Sequence, residues 1–370
     1  MTEQTIHLYT SPEYDDHAVS FFDKYDIQSF IFCPEEKQKM IIPPKERLCR
    51  FCKRKYPAVT FRNDAHIIPE ALGNRYLTSE FECDECNQKF GKLDDQLIKF
   101  IGVSRSLNGT KAKKKTKIPK YPSADKKVLV QNKEFYSDKD ALNIELTQHG
   151  NGSFIYDETN SLYKINFLKN PYMPLLVFQS LLKMAICVMN EKEIEDYEHA
   201  IEFLHVKKDL IRELSGLLLS GYLLPLTFGH EYPLIFLFKK KNFEDNIPTH
   251  VFVLHAKNIM LEIKIPLNKN DKFNYTKEAI KVKDCPPLFF KPYELHKTPF
   301  KYFRRDLSST IVVKNDSEIL VVEMQKGELN NFVAFNPTTN SIEKQKSFNP
   351  NEIKGIWLSN AEIKLANGDA

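Results

Sequence analysis

The strongest constraint on this chain is a bracket of four cysteines. Cys49 and Cys52 form one CxxC pair, Cys83 and Cys86 form a second, and residues 53–82 lie between them. Paired thiolates at this short spacing suit a closed tetrahedral site of the four-cysteine zinc type. Any fold of the region must therefore bring two separate turns to one point. The enclosed loop carries Asp64-Ala65-His66-Ile67-Ile68-Pro69, and Asn87 directly follows the second pair. A clamp and a reactive imidazole share one short segment.

At 370 residues the chain predicts two or three folded units. Its 42% hydrophobic and 12% aromatic content excludes a disordered protein. The net charge of +4 says little, but its distribution says more. Between Lys99 and Lys133 eleven Lys or Arg residues stand against one acid, Asp125, and Lys113, Lys114 and Lys115 are consecutive. Such a block suits a polyanion such as a nucleic acid, or serves as a solvated linker. Cys33, Cys187 and Cys285 are scattered among apolar neighbours and read as buried thiols. The polar, acidic N-terminus lacks a signal-peptide pattern. The longest apolar stretches, Leu175–Met189 and Leu214–Leu226, are interrupted by Lys183 and by Gly221 with Pro225, so no membrane span is expected. Zinc thiolates point to a reducing cytoplasm.

The expected fold class is α+β. Residues 1–45 form a small α/β extension, with strands at Thr5–Tyr9 and Ser29–Cys33 around a helix over Asp15–Tyr25. A short strand or extended hairpin is predicted at Ala58–Ile68 and a second strand at Leu77–Glu82, with Gly73-Asn74 as a turn between them. A helix starts at Asp84, with Phe90, Leu93, Leu97 and Ile101 on one face; Gly91 weakens it unless close packing requires a glycine. Residues 46–101 make one module and 102–127 a basic linker or arm. The rest, 128–370, reads as a larger mixed α+β domain for binding, sensing or assembly. Its expected helices are Leu175–Met189, Ile194–Leu204 and Leu210–Leu219. Its expected strands include Val128–Val130, Ala141–Leu146, Ser153–Tyr156, Tyr163–Phe167, the meander Leu234–Phe238, His250–His255 and Ile259–Ile265, and a tail at Thr310–Val313, Ile319–Met324 and Phe332–Phe335.

Hydrolysis of a phosphodiester needs an activated water and a cation near the phosphorus. A neutral imidazole, with an unperturbed pKa of about 6.5, can take the water's proton at physiological pH. Here the run CRFC…DAHIIPEALGN…CDECNQKFG resembles the HNH endonucleases of the four-cysteine type, over roughly Leu48 to Phe100. The resemblance implies a ββα-metal module and metal-dependent hydrolysis of nucleic acid, with DNA as the expected substrate and restriction or anti-phage defence as a setting. It makes His66 the general base and Asn87 a ligand of a catalytic Mg²⁺ or Mn²⁺. Cys49, Cys52, Cys83 and Cys86 would hold a separate structural Zn²⁺. Two positions depart from the family pattern. Ala65 stands where an aspartate often supplies a second metal ligand, leaving Asp64 as the nearest carboxylate, on the opposite side of a regular strand. Thr78 falls where a loop-steadying asparagine is usual. Arg62, Arg75 and Lys89, with Lys113 to Lys115, are candidate phosphate contacts. The rival reading is a zinc-dependent nucleic-acid-binding protein without catalysis. A homo-oligomer or regulatory partner would engage the C-terminal domain.

Overall fold

The fold is that of a computed structural model. It describes residues 7–34, 36, 41–110, 118–133, 138, 141–147, 152–157, 159–160, 162–205, 216–224, 232–272, 282–289, 300–323, 333–336, 341–344 and 354–358. The protein mixes α and β structure in two compact units. The first combines Met1–Phe100 with Tyr172–Val313, and the second combines Ile101–Pro171 with Lys314–Ala370. The consecutive division drawn from the sequence does not follow this grouping. The chain leaves the first unit after Phe100 and returns at Tyr172, so residues 128–370 are not one body.

The first unit opens with α1 (Asp15–Lys24) and β1 (Tyr25–Phe32). A two-residue ladder of β2 (Ala65–His66) and β3 (Thr78–Ser79) precedes α2 (Asp84–Ile101). The second unit follows with α3 (Ser104–Leu107), β4 (Tyr121–Pro122), β5 (Val128–Asn132), β6 (Leu142–Leu146), β7 (Phe154–Asp157) and β8 (Leu162–Leu168). The chain re-enters the first unit with α4 (Pro174–Val188), α5 (Glu191–Ile194) and α6 (Glu198–Phe203). Strands β9 (Leu218–Leu223), β10 (Leu234–Lys240), β11 (His250–Ala256), β12 (Ile259–Lys264) and β13 (Lys301–Asp306) complete it. The second unit ends with β14 (Ser317–Glu323), β15 (Val333–Asn336), β16 (Ser341–Lys344) and β17 (Gly355–Leu358).

The first unit is built on a six-stranded antiparallel sheet in the order β1-β10-β11-β12-β9-β13. Strands β10 to β12 are buried on both pleat faces along almost their whole length, which explains their near-continuous apolar sequence. Phe236, Phe238, Val251 and Val253 pack with Phe21 and Tyr25. Helix α4 packs against β11 and β12, and nearly all of it is buried. Each large apolar side chain so buried contributes roughly 1.5–3 kcal/mol. The second unit holds a four-stranded sheet, β17-β6-β5-β4, a three-stranded sheet, β14-β8-β7, and the β15–β16 pair. Val103, Val128, Val130, Ile144, Ile165 and Phe167 form its core.

Several expected elements differ from those observed. Of the helix expected over Leu210–Leu219, residues 210–215 lie outside the described residues, and Leu218 and Leu219 begin β9. A short apolar run reads equally as helix or buried strand; Gly221 decides for close strand packing. A Cβ there would stand 2.6 Å from the Met260 carbonyl oxygen. The helix over Ile194–Leu204 is broken into α5, a 3₁₀ turn at Glu195–Tyr197 and α6. At Thr310–Val313 there is one bridge, Val313 to Tyr172, and Tyr9 likewise makes a bridge to Phe289. Lys113, Lys114 and Lys115 lie outside the described residues.

Candidate metal centre and histidine site

Each cysteine pair sits in a tight turn. In the first, the Lys53 N–H donates to the Cys49 carbonyl at 2.9 Å, with Lys53 in the left-handed region. In the second, Cys83 precedes α2, Cys86 lies in its first turn, and the Asn87 N–H donates to the Cys83 carbonyl at 2.9 Å. The Sγ atoms of Cys49 and Cys86 are 3.7 Å apart, as are those of Cys52 and Cys83. All four lie within 4.8 Å of one another. A tetrahedron with Zn–S bonds of about 2.3 Å has edges of about 3.8 Å, so the donor set is compatible with zinc. The four thiols are unequal. The hydrogen bond between Cys49 and Cys86 holds Cys49 down at about 4, and that same contact raises Cys86. Burial pushes Cys83 up to about 12. A bound multivalent cation would favour the thiolate form of all four.

Asp84 ties the loop before the histidine to the start of α2. Its carboxylate accepts from the Thr60 hydroxyl at 2.5 Å and from the Asn63 backbone N–H at 2.9 Å. It also accepts from the Arg62 N–H and the Asn63 side chain, both at 3.1 Å. Burial works to raise the Asp84 pKa, but these bonds outweigh it and hold the carboxyl below its ordinary value. They also explain why the strand expected over Ala58–Ile68 shrinks to Ala65–His66. The backbone donors at 62 and 63 turn to a carboxylate instead of a neighbouring strand.

In β2, Ala65 is buried and His66 half-buried, while Asp64, just before the strand, is exposed. His66 pairs with Thr78 across the ladder. Its Nε2 lies 3.4 Å from Glu70 Oε1, on the 3₁₀ turn Glu70–Leu72 that follows. Gly73 closes that turn with φ at +96°, a conformation that favours glycine. The next residue, Asn74, is buried and organises the loop. Its amide donates to the Ile68 and Leu77 carbonyls at 2.7 and 2.9 Å, and its Oδ1 accepts from the Leu77 N–H at 2.9 Å. With both amide protons so engaged, its 3.5 Å approach to His66 Nδ1 is a packing contact. Asn74 thus ties the two sides of this loop together, four residues before Thr78.

The far side of the histidine's backbone meets α4. Lys183 Nζ donates to the His66 carbonyl at 2.7 Å and pairs with Glu82 Oε2 at 3.1 Å. Burial works to raise the pKa of Glu82, against the opposing pull of Lys183. Asp94 on α2, likewise raised by burial, accepts from the Ser180 hydroxyl at 2.9 Å. Arg50, beside the first cysteine, donates to the Ile186, Cys187 and Met189 carbonyls at 2.7, 2.9 and 3.2 Å. It thereby satisfies the C-terminal carbonyls of α4. Residues 49–100 are thus built onto a helix from much later in the chain.

The remaining expected positions fall around this core. Asn87 is half-buried in the first turn of α2. Arg62 is exposed and Arg75 half-buried, while exposed Lys89 has its Nζ 2.8 Å from His205 Nδ1. Glu70, Asn74 and Lys183 escaped the sequence reading as site neighbours. Lys183 did leave a signal: it is the one charge in the apolar run Leu175–Met189. Cys33, Cys187 and Cys285 are buried, as expected.

Residues 49–100 match the family model described as HNH endonuclease. The chain carries an HNH endonuclease domain. That domain implies a nucleic-acid substrate, and its span begins at the first cysteine of the thiol cluster and takes in all four. No curated protein and no solved structure matches the chain. Among the described residues no helix is long and apolar enough to cross a membrane.

Proposed function

We propose that the protein is a metal-dependent nuclease that hydrolyses phosphodiester bonds, with DNA as its substrate. One observation carries this reading: the HNH endonuclease domain coincides with a four-thiol cluster whose cysteines bracket His66 along the chain and directly precede Asn87. In this reading the domain is a ββα-metal unit made of β2, β3 and α2, with Zn²⁺ as its structural clamp. His66 is the general base. The Glu70 carboxyl oxygen beside Nε2 favours the tautomer protonated there, which makes Nδ1 the nitrogen that takes the proton from water. Asn87 and Asp64 would hold the catalytic ion, since hard cations take oxygen ligands. The burial pattern supports Asp64 as the oxygen ligand, because Ala65 is buried while Asp64, just before β2, is exposed. When bound, Mg²⁺ or Mn²⁺ supplies positive charge at the scissile phosphate and its leaving oxygen. Arg62, Arg75 and Lys89 would steady the flanking phosphates, with Lys113, Lys114 and Lys115 extending the track. The second unit would sense a signal or mediate assembly, through a homo-oligomer or a regulatory partner. A cytoplasmic role in restriction or anti-phage defence fits a nuclease joined to such a unit.

The test is cleavage of supercoiled plasmid, linear duplex, single-stranded DNA and RNA with Mg²⁺, Mn²⁺ or EDTA. Metal-dependent cleavage is expected on DNA and lost in His66→Ala, by about 10²-fold or more for removal of a general base. Cleavage that survives His66→Ala sinks the assignment of the base. A second reading, a zinc-stabilised binding module without catalysis, draws on the buried Ala65, which offers no ligand where the family often has one. Retained DNA binding with no cleavage in any metal would establish it.

A further inference from the structure

We propose that Lys183, on α4, is a positioning residue for His66, acting from outside the HNH endonuclease domain. Its expected effect on rate rests on the nuclease reading above; its structural effect does not. Lys183 and Glu82 are 1% and 0% exposed. A helix this apolar would pack as well with Leu or Met at position 183, and a buried ion pair adds little net stability over such a residue. What the ammonium adds is direction. One of its three protons meets Glu82 and another meets the His66 carbonyl.

That carbonyl belongs to a two-residue strand, so the ladder itself gives His66 little restraint. On the following residue the Ile67 N–H donates to the Leu77 carbonyl at 3.1 Å. Lys183 supplies a further restraint, from a different element. Its own place is set at both ends and the middle of α4. Gln96 accepts from the Met173 N–H at 2.8 Å, Asp94 accepts from Ser180, and Arg50 holds the last carbonyls. The ammonium is therefore a fixed point against which the histidine is set. Catalysis is sensitive to such settings: a displacement of about 1 Å can lower a rate about 10²-fold.

The test uses the full chain with two independent readouts. The double variant Lys183→Met/Glu82→Gln removes both charges together, leaving no buried carboxylate without its cation. Lys183→Arg keeps a cation and its donors. Of the ten histidines, only His66 precedes an isoleucine. Carbonyl-¹³C histidine with ¹⁵N isoleucine therefore yields a single amide–carbonyl cross-peak from the His66–Ile67 bond. That carbonyl resonance is expected to move upfield in the double variant at unchanged zinc content, and to stay nearer wild type in Lys183→Arg. In DNA cleavage the double variant is expected to lose about 10–100-fold in kcat with KM little changed, and Lys183→Arg to recover part of it. An unmoved resonance, wild-type kcat in the double variant, or the reverse order of the two variants overturns the proposal. If wild-type protein cleaves nothing, or His66→Ala cleaves like wild type, the nuclease reading falls, and the carbonyl resonance alone decides the anchor.

Discussion

At the scale of single residues, charge is buried in this protein where it can be answered. Lys264 lies between Glu262 and Asp284, and Asp284 also accepts from Tyr302 Oη and Arg304 at 2.6 and 2.9 Å. Burial pushes Glu262 up to about 7, opposed by Lys264 and reinforced by Asp284. The folded protein therefore binds this proton more tightly than the unfolded chain, whose glutamate titrates near 4.3. The contribution of Glu262 to stability must fall as pH rises from about 4.3 through about 7. Glu262→Gln lacks this dependence. Urea midpoints at pH 5.5 and 7.5 are expected to show the variant gaining on wild type at the higher pH, and an unchanged or reversed difference contradicts the assignment. The same scale shows why His66 was legible and Asn74 was not. A histidine between two CxxC pairs is conspicuous, whereas Gly73-Asn74 reads as an ordinary turn until its amide is seen spanning the loop.

At the scale of elements, the two CxxC turns and α2 were readable because their signals are local. Cysteine spacing sets the turns, Asp84 opens the helix, and Phe90, Leu93, Leu97 and Ile101 form its buried stripe. Gly91 is tolerated within that helix without being required, since a Cβ there would meet nothing within 4 Å. The dependence of the domain on α4 was not readable. Nothing near Glu82 in the sequence announces a lysine from 101 positions later (183 − 82) as its partner. A fragment of residues 46–101 would leave Glu82 without its cation and Arg50 without its acceptor carbonyls. Losing one partner of a buried ion pair costs about 3–5 kcal/mol, comparable to the whole stability of a small domain. The fragment is expected to lack a cooperative thermal transition even with zinc, as followed by circular dichroism. A sharp melt near that of the full chain would show that the domain stands alone.

At the scale of the whole molecule, zinc is expected to stabilise more than the segment that binds it. Met1–Phe100 and Tyr172–Val313 form one compact unit, and Arg50 and Lys183 link residues 49–100 to α4 within it. Cys83→Ser should lower zinc content and, because ligation energy is folding energy, weaken that unit as one. Hydrogen exchange is expected to speed up in α4 and β12 as well as in residues 49–100, and loss of protection confined to 49–100 contradicts the coupling. By itself the sequence determined the zinc-type clamp, the HNH resemblance and the identity of the candidate base, since each is encoded in residues close along the chain. Only the tertiary structure decided which distant helix supports the histidine, which asparagine organises its loop and where the units divide. The supporting helix is chosen by pairing buried charges and backbone donors across more than a hundred residues, and Asn74 by an amide that bonds across its own loop; no pattern of residue types along the chain carries either.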